Sequence, residues 1–173
     1  MQAWNRGMQA AARPVRFMLA SLVLAASPIL AWGQVKVGDQ VSLPEVVLLD
    51  GRVVPAGHYA GKPVVVEYWA SWCPFCARQN PHLQKLTDAV RGKGLEILTV
   101  SIDKKPEDAR EYLAKHGYTF DTAMETDALR KVFGKRRVVP EIFVIEADGR
   151  VAEVIPGEMF EEDVLELARY ARP

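Results

Sequence analysis

From Val64 to Trp69 the chain reads Val-Val-Val-Glu-Tyr-Trp, apolar at every position but one, and no other stretch limits its fold so tightly. A strand without a polar face has no side to turn to water, so both faces must be covered. Such a strand belongs in the middle of a sheet with helices on either side. Cys73-Pro74-Phe75-Cys76 comes next and holds the only two cysteines of the chain. It opens the helix-like stretch Ala77 to Leu86.

Two sulfurs three residues apart across a first helical turn have Cα atoms roughly 5 to 6 Å apart, within the span of a disulfide. Cys73 and Cys76 are therefore expected to cycle between dithiol and disulfide. At a helix N-terminus, unpaired N–H groups and the positive end of the helix dipole favour a thiolate. Cys73 takes that position and is expected to attack; Cys76 lies one turn inside and is expected to resolve. As a structural staple the bridge would close a four-residue loop and remove little unfolded-chain entropy. Zinc would find two thiolate ligands and no second pair, because His58, His82 and His116 are scattered. No metal site and no cofactor are expected.

Residues 1–33 carry Arg6, Arg13 and Arg16, no acidic residue, an apolar stretch from Phe17 to Trp32 interrupted by Pro28, and a small-x-small ending. This pattern is that of a secretory signal peptide, the alternative being an uncleaved membrane anchor. Residues 34–173 then make one domain, slightly acidic in balance, which gives no reason to propose nucleic-acid binding. Export places the cysteines in an oxidising compartment, the periplasm.

Along the domain, Val46–Leu49, the Asp50-Gly51 turn and Arg52–Val54 are expected to form a hairpin, followed by an irregular loop to Lys62. Helix one is expected from Cys73 to about Arg91 with a kink at Pro81, a second buried strand over Leu95–Ile102, and a helix over Pro106–Lys115 closed by Gly117. Thr126 caps a short helix ending near Gly134, Glu141–Ile145 and Val151–Ile155 flank the Asp148-Gly149 turn, and Phe160–Ala171 closes the chain as a helix. The order of these elements implies an α/β fold, a three-layer sandwich around a mixed sheet.

Glu67 is a carboxylate inside an otherwise apolar strand. Burial raises a carboxyl pKa, which would make Glu67 a proton acceptor and donor near neutral pH, suited to deprotonating Cys76. The alternative is a partner Lys or Arg, or an outlet to solvent at the sheet edge. Val139-Pro140 precedes a strand; proline at a first strand position needs no special explanation, and X-Pro bonds also tolerate the cis form. Trp69 suits core packing, and Trp72 suits either packing or the rim that a substrate touches. Lys135-Arg136-Arg137 suits a solvated surface, or attraction of an acidic partner.

Glu67 to Cys76, the Val138-Val139-Pro140-Glu141-Ile142-Phe143-Val144-Ile145 segment and the Asp148-Gly149 turn together resemble the thioredoxin superfamily. The hairpin before Gly61-Lys62-Pro63 and the helix from Pro106 to Lys115 make the closer resemblance the exported TlpA/ResA-like thiol-disulfide oxidoreductases. The resemblance runs from about Val37 to Leu167 and implies a thioredoxin-like sandwich with an N-terminal hairpin extension. It implies a cis Val139-Pro140 peptide packed against the sulfurs, a Val139 backbone that docks substrate, and a rim of Trp72, Pro74 and Phe75. It also supports proton transfer by Glu67, where thioredoxins carry a buried acid.

Three departures stand out. Pro74-Phe75 reverses the usual order of proline directly before the second cysteine, Glu141 replaces the usual threonine after the proline, and Thr99 stands where thioredoxins often set a lysine. The expected function is an exported protein-disulfide reductase, with partners that are disulfide-bearing envelope proteins, apocytochrome c among them in cytochrome c maturation, and a membrane-embedded thiol electron donor. The chain is expected to act as a monomer. The competing readings are a disulfide oxidase or isomerase, which usually has His where Phe75 stands, a copper-handling assembly factor using the same thiols, and a peroxidase, whose upstream Pro and Thr are missing here.

Overall fold

The computed structural model describes residues 33–172; the expected signal peptide or anchor at residues 1–33 falls, but for Gly33, outside them. Strand β3 (Val64–Trp69) is buried at all six positions. It pairs in parallel with β4 (Glu96–Ser101) and antiparallel with β6 (Glu141–Ile145). Outside these lie β5 (Asp121–Met124), parallel to β4, and β7 (Val151–Pro156), antiparallel to β6, giving the order β5-β4-β3-β6-β7. A separate two-stranded hairpin, β1 (Val46–Val47) with β2 (Val53–Val54), precedes the sheet.

Alternation along β3 sorts its side chains between two layers. Val64, Val66 and Tyr68 join Leu98, Val100, Phe143 and Ile145 under helix α3 (Asp127–Phe133) and the hairpin residues Val46, Leu48 and Val54. Val65, with Ile142 and Val144, meets Leu83, Leu86 and Val90 of α1 (Pro74–Val90), and Val164 of α4 (Glu161–Glu166). Trp69 points to the same side as Val65 and packs with Cys73, Cys76 and Ala109 of α2 (Pro106–His116). The result is the expected three-layer α/β sandwich, with Glu67 on the α1 side by parity alone.

The ends of elements follow local chemistry. Pro74 occupies the first turn of α1, where its missing N–H costs nothing. Thr126 caps α3 through its hydroxyl to the Leu129 N–H, and Gly117 ends α2 in the left-handed region, φ 69°. Pro81 lies inside α1, as expected. Two points differ from expectation. The closing helix is α-helical only to Glu166 and tightens to a 3₁₀ turn over Leu167–Tyr170. Strand β5 has no counterpart in the sequence reading, since Asp-Thr-Ala-Met carries no apolar pattern; its pairing with β4 and the Leu48–Ala123 bridge to the hairpin hold it. Among the described residues no helix is long and apolar enough to cross a membrane.

Candidate active site

The C-terminal end of β3 turns through Ala70–Trp72 into α1, and this turn presents the dithiol. Cys73 is the N-cap of α1, with extended backbone, and its Sγ accepts the Cys76 N–H at 3.1 Å. The helix thus uses a sulfur where caps usually use an oxygen. The turn itself is pinned by Asp103, whose carboxylate accepts the Ser71 hydroxyl at 2.8 Å and the Ser71 N–H at 3.1 Å. Both sulfurs are free thiols here, Cys73 3% and Cys76 0% exposed. Burial, above all, pushes the Cys76 thiol far above its ordinary value, and its contact with Cys73 adds to the rise.

Opposite the sulfurs lies the segment before β6. The Val139-Pro140 peptide is cis, and the Val139 carbonyl accepts from Cys73 Sγ at 3.5 Å. Trp72, Pro74 and Phe75 stand around this point on the surface, with Trp72 66% and Phe75 51% exposed. Val138, beside Val139, is also exposed. Trp69, by contrast, is fully buried, and its indole N–H donates to Thr99 Oγ1 at 3.1 Å.

Glu67 is fully buried beneath the dithiol, on the α1 face. Desolvation pushes its carboxyl up to about 8, only partly opposed by a hydrogen bond from Gln79. That bond, Gln79 Nε2 to Glu67 Oε1 at 2.9 Å, is its partner in place of the Lys, Arg or solvent outlet considered from sequence. Thr99 stands across from Glu67 on β4 and spends its hydroxyl on Trp69 and Thr122, so no cation takes the lysine position. Gln79 was not singled out by the sequence reading, although its spacing of three from Cys76 puts it on the same helical face.

The basic run after α3 divides. Lys135 and Arg137 are exposed, as expected of a solvated stretch. Arg136 is not: its side chain is 5% exposed and pairs with Glu141, itself 8% exposed. The guanidinium lies 4.6 Å from the Tyr68 ring centroid and 4.8 Å from that of Phe143, and it also donates to the Phe133 and Gly134 carbonyls. Glu141, the unusual residue after the proline, is therefore an internal acceptor behind the cis peptide. For metal, the described residues contain no group of three or more His, Cys, Asp or Glu side chains placed to share an ion.

A thiol that caps a helix by accepting a backbone N–H, a second thiol one turn inside, a cis proline beside the first and a buried acid below can carry out thiol-disulfide exchange. Comparison with known proteins agrees. The profile of the Redoxin family matches residues 36–170. The thiol-disulfide oxidoreductase ResA of Geobacillus thermodenitrificans is 29% identical over 133 residues, which cover 75% of this chain and 76% of that one. ResA of Geobacillus kaustophilus is 30% identical over 125 residues, covering 70% and 71%. The crystal structure of a thiol:disulfide interchange protein of the thioredoxin family from Chlorobium tepidum superposes with a TM-score of 0.69 at 23% identity, over 80% of this chain and 99% of that one. The chain belongs to the Redoxin family, in the TlpA/ResA-like branch of the thioredoxin superfamily, and is a thiol-disulfide oxidoreductase.

Proposed function

We propose that the protein works as an exported protein-disulfide reductase. The observation that carries this reading is the asymmetry of the pair: Cys73 caps α1 among the exposed Trp72, Pro74 and Phe75, against the Val139 carbonyl, and Cys76 lies one turn inside with no exposed surface. A client sulfur docked beside Trp72 and Val139 would meet the first before the second. The Cys73 thiolate attacks one sulfur of a client disulfide, forming a mixed disulfide and releasing the other client sulfur as a thiolate. Cys76 then passes its proton to the Glu67 carboxylate and attacks the Cys73 sulfur. The Cys73–Cys76 bond forms, the bond to the client breaks, and the client leaves as a thiolate with both electrons. Two electrons have moved from protein to client, so a dithiol donor must restore the pair.

The Val139 backbone, next to cis Pro140, is the edge on which an extended client segment docks, and Trp72, Pro74 and Phe75 supply the apolar rim. A buried carboxyl held near 8 fits the proton step, because such a group both takes and returns a proton near neutral pH. The leader-like residues 1–33 and the redox pair support a periplasmic location, with client proteins of the envelope, cytochrome c maturation among their pathways, and a membrane-embedded thiol donor. The chain acts in this reading as a monomer.

The direction of electron flow is tested by equilibrating the domain of residues 34–173 with glutathione redox buffers. A potential toward the thioredoxin end of the scale, about −270 mV, supports a reductase, and one toward about −120 mV replaces it with an oxidase. The client class is tested with Cys76→Ser, which should accumulate mixed disulfides between Cys73 and envelope proteins. If none accumulate, protein clients are ruled against.

A further inference from the structure

Three consecutive residues before α4 each bind a different part of the site. The Gly157 N–H donates to the Pro140 carbonyl at 2.8 Å. Glu158 accepts two guanidinium N–H groups of Arg78, at 2.7 and 2.6 Å, and Arg78 lies over the Phe75 ring. The Met159 N–H donates to Gln79 Oε1 at 2.6 Å.

The last contact determines the orientation of a buried amide. A backbone N–H only donates, so it must meet the oxygen of the Gln79 side chain. The Gln79 nitrogen is then the atom that faces Glu67, as found. That nitrogen also only donates, so Glu67 Oε1 accepts whether the carboxyl is charged or neutral. A proton on neutral Glu67 is thereby confined to Oε2, the oxygen with no hydrogen-bond partner among the described residues.

We infer that Gln79, locked by Met159, is a positioning residue that fixes the proton of Glu67 on Oε2 and so makes that atom its single point of exchange with the dithiol. For its catalytic consequence the inference rests on the proton-transfer reading of Glu67; the assignment of the two oxygens does not. The loop that orients Gln79 also holds Pro140 and Arg78, which ties the docking edge and the acid to one three-residue stretch. The titratable groups that face Glu67 are Cys76 of α1 and Tyr112 of α2, while Thr99 and Ile142 oppose it on β4 and β6.

The test reads Glu67 directly. In the infrared spectrum of the reduced protein, the carbonyl band of neutral Glu67 is the one lost in Glu67→Gln. With Gln79→Met the Oε1 carbonyl loses its donor, so the band should move to higher wavenumber. The pH dependence of turnover should move to alkaline pH by about one to two units, since a hydrogen bond to the carboxylate is gone. A band and a profile both unmoved overturn the inference.

A second measurement needs no change at Gln79. Its side-chain amide resonances should follow the ionisation of Glu67 near about 8, and should do so in Cys76→Ser and Tyr112→Phe as well. Resonances flat across that range overturn the inference even if Gln79→Met does not fold. If the band shifts in Gln79→Met while Glu67→Gln leaves turnover unchanged, the assignment of the oxygens stands and the proton-transfer reading falls.

Discussion

Arg136 and Glu141 form a buried ion pair directly behind the cis proline, Nη1 to Oε2 at 2.5 Å. The pair fastens the segment from Gly134 to Pro140 to the first residue of β6, because Arg136 also donates to the carbonyls of Phe133 and Gly134. Desolvation pushes the Glu141 carboxyl up and Arg136 opposes the rise. Removing only the arginine strands a charge in a site built to hold two. Arg136→Met should therefore lower stability by about 3–5 kcal/mol, and Arg136→Met combined with Glu141→Thr should recover much of it. Urea unfolding of the three proteins decides: a double variant as unstable as the single one would mean that packing on Tyr68 and Phe143, not pairing, is the main contribution of Arg136.

The two thiols should differ sharply toward alkylating reagents. Cys76 is fully enclosed and its thiol is pushed far up by burial and by Cys73, so little thiolate forms at neutral pH. Iodoacetamide at pH 7 should label Cys73 at least about tenfold faster than Cys76, as read by mass spectrometry of tryptic peptides. Comparable rates would remove the distinction between attacking and resolving sulfur.

Much of this arrangement is legible in residue order because local chemistry dictates it. Val64 to Trp69 has no wet face, Asp50-Gly51 and Asp148-Gly149 suit tight turns, and Thr126 caps the helix that follows it. The parity of Glu67 with Val65 and Trp69 places the acid on the α1 face. What was not legible depends on partners distant in sequence. Gln79 gains its meaning from Met159, 80 residues later, and Arg136 looks like a surface charge until Tyr68 and Phe143 cover it. Strand β5 exists because β4 offers it an edge, a relation that Asp121–Met124 does not record in its own pattern.

Trp72 offers a substitution that separates docking from folding. It is 66% exposed beside Cys73, so its removal leaves the core intact and should alter stability by less than about 0.5 kcal/mol. An exposed aromatic that a docked partner covers typically contributes about 1 kcal/mol or more. Trp72→Ala should raise KM for a disulfide-bonded protein substrate by about fivefold or more, with kcat little changed. Reduction of a small disulfide should proceed at the unmodified rate. Equal effects on large and small substrates would place Trp72 in the chemistry and not in the rim.

The enclosed acid also predicts how stability varies with pH. The Glu67 carboxyl is raised from 4.5 to about 8 by desolvation. Between those values the folded protein keeps a proton that the unfolded chain has released, so stability falls as pH rises through this window. The slope is at most about 1.4 kcal/mol per pH unit; below the window the penalty is absent, and above it the penalty is constant. Glu67→Gln keeps an uncharged side chain of the same shape at every pH and should flatten this contribution. Denaturant unfolding of the reduced domain at pH 5 and pH 8 reads the effect: the variant should gain on the parent as pH rises. A parent whose stability relative to Glu67→Gln is the same at both pH values would show that Glu67 ionises in the fold as it does in water, and would leave it no proton to exchange near neutrality.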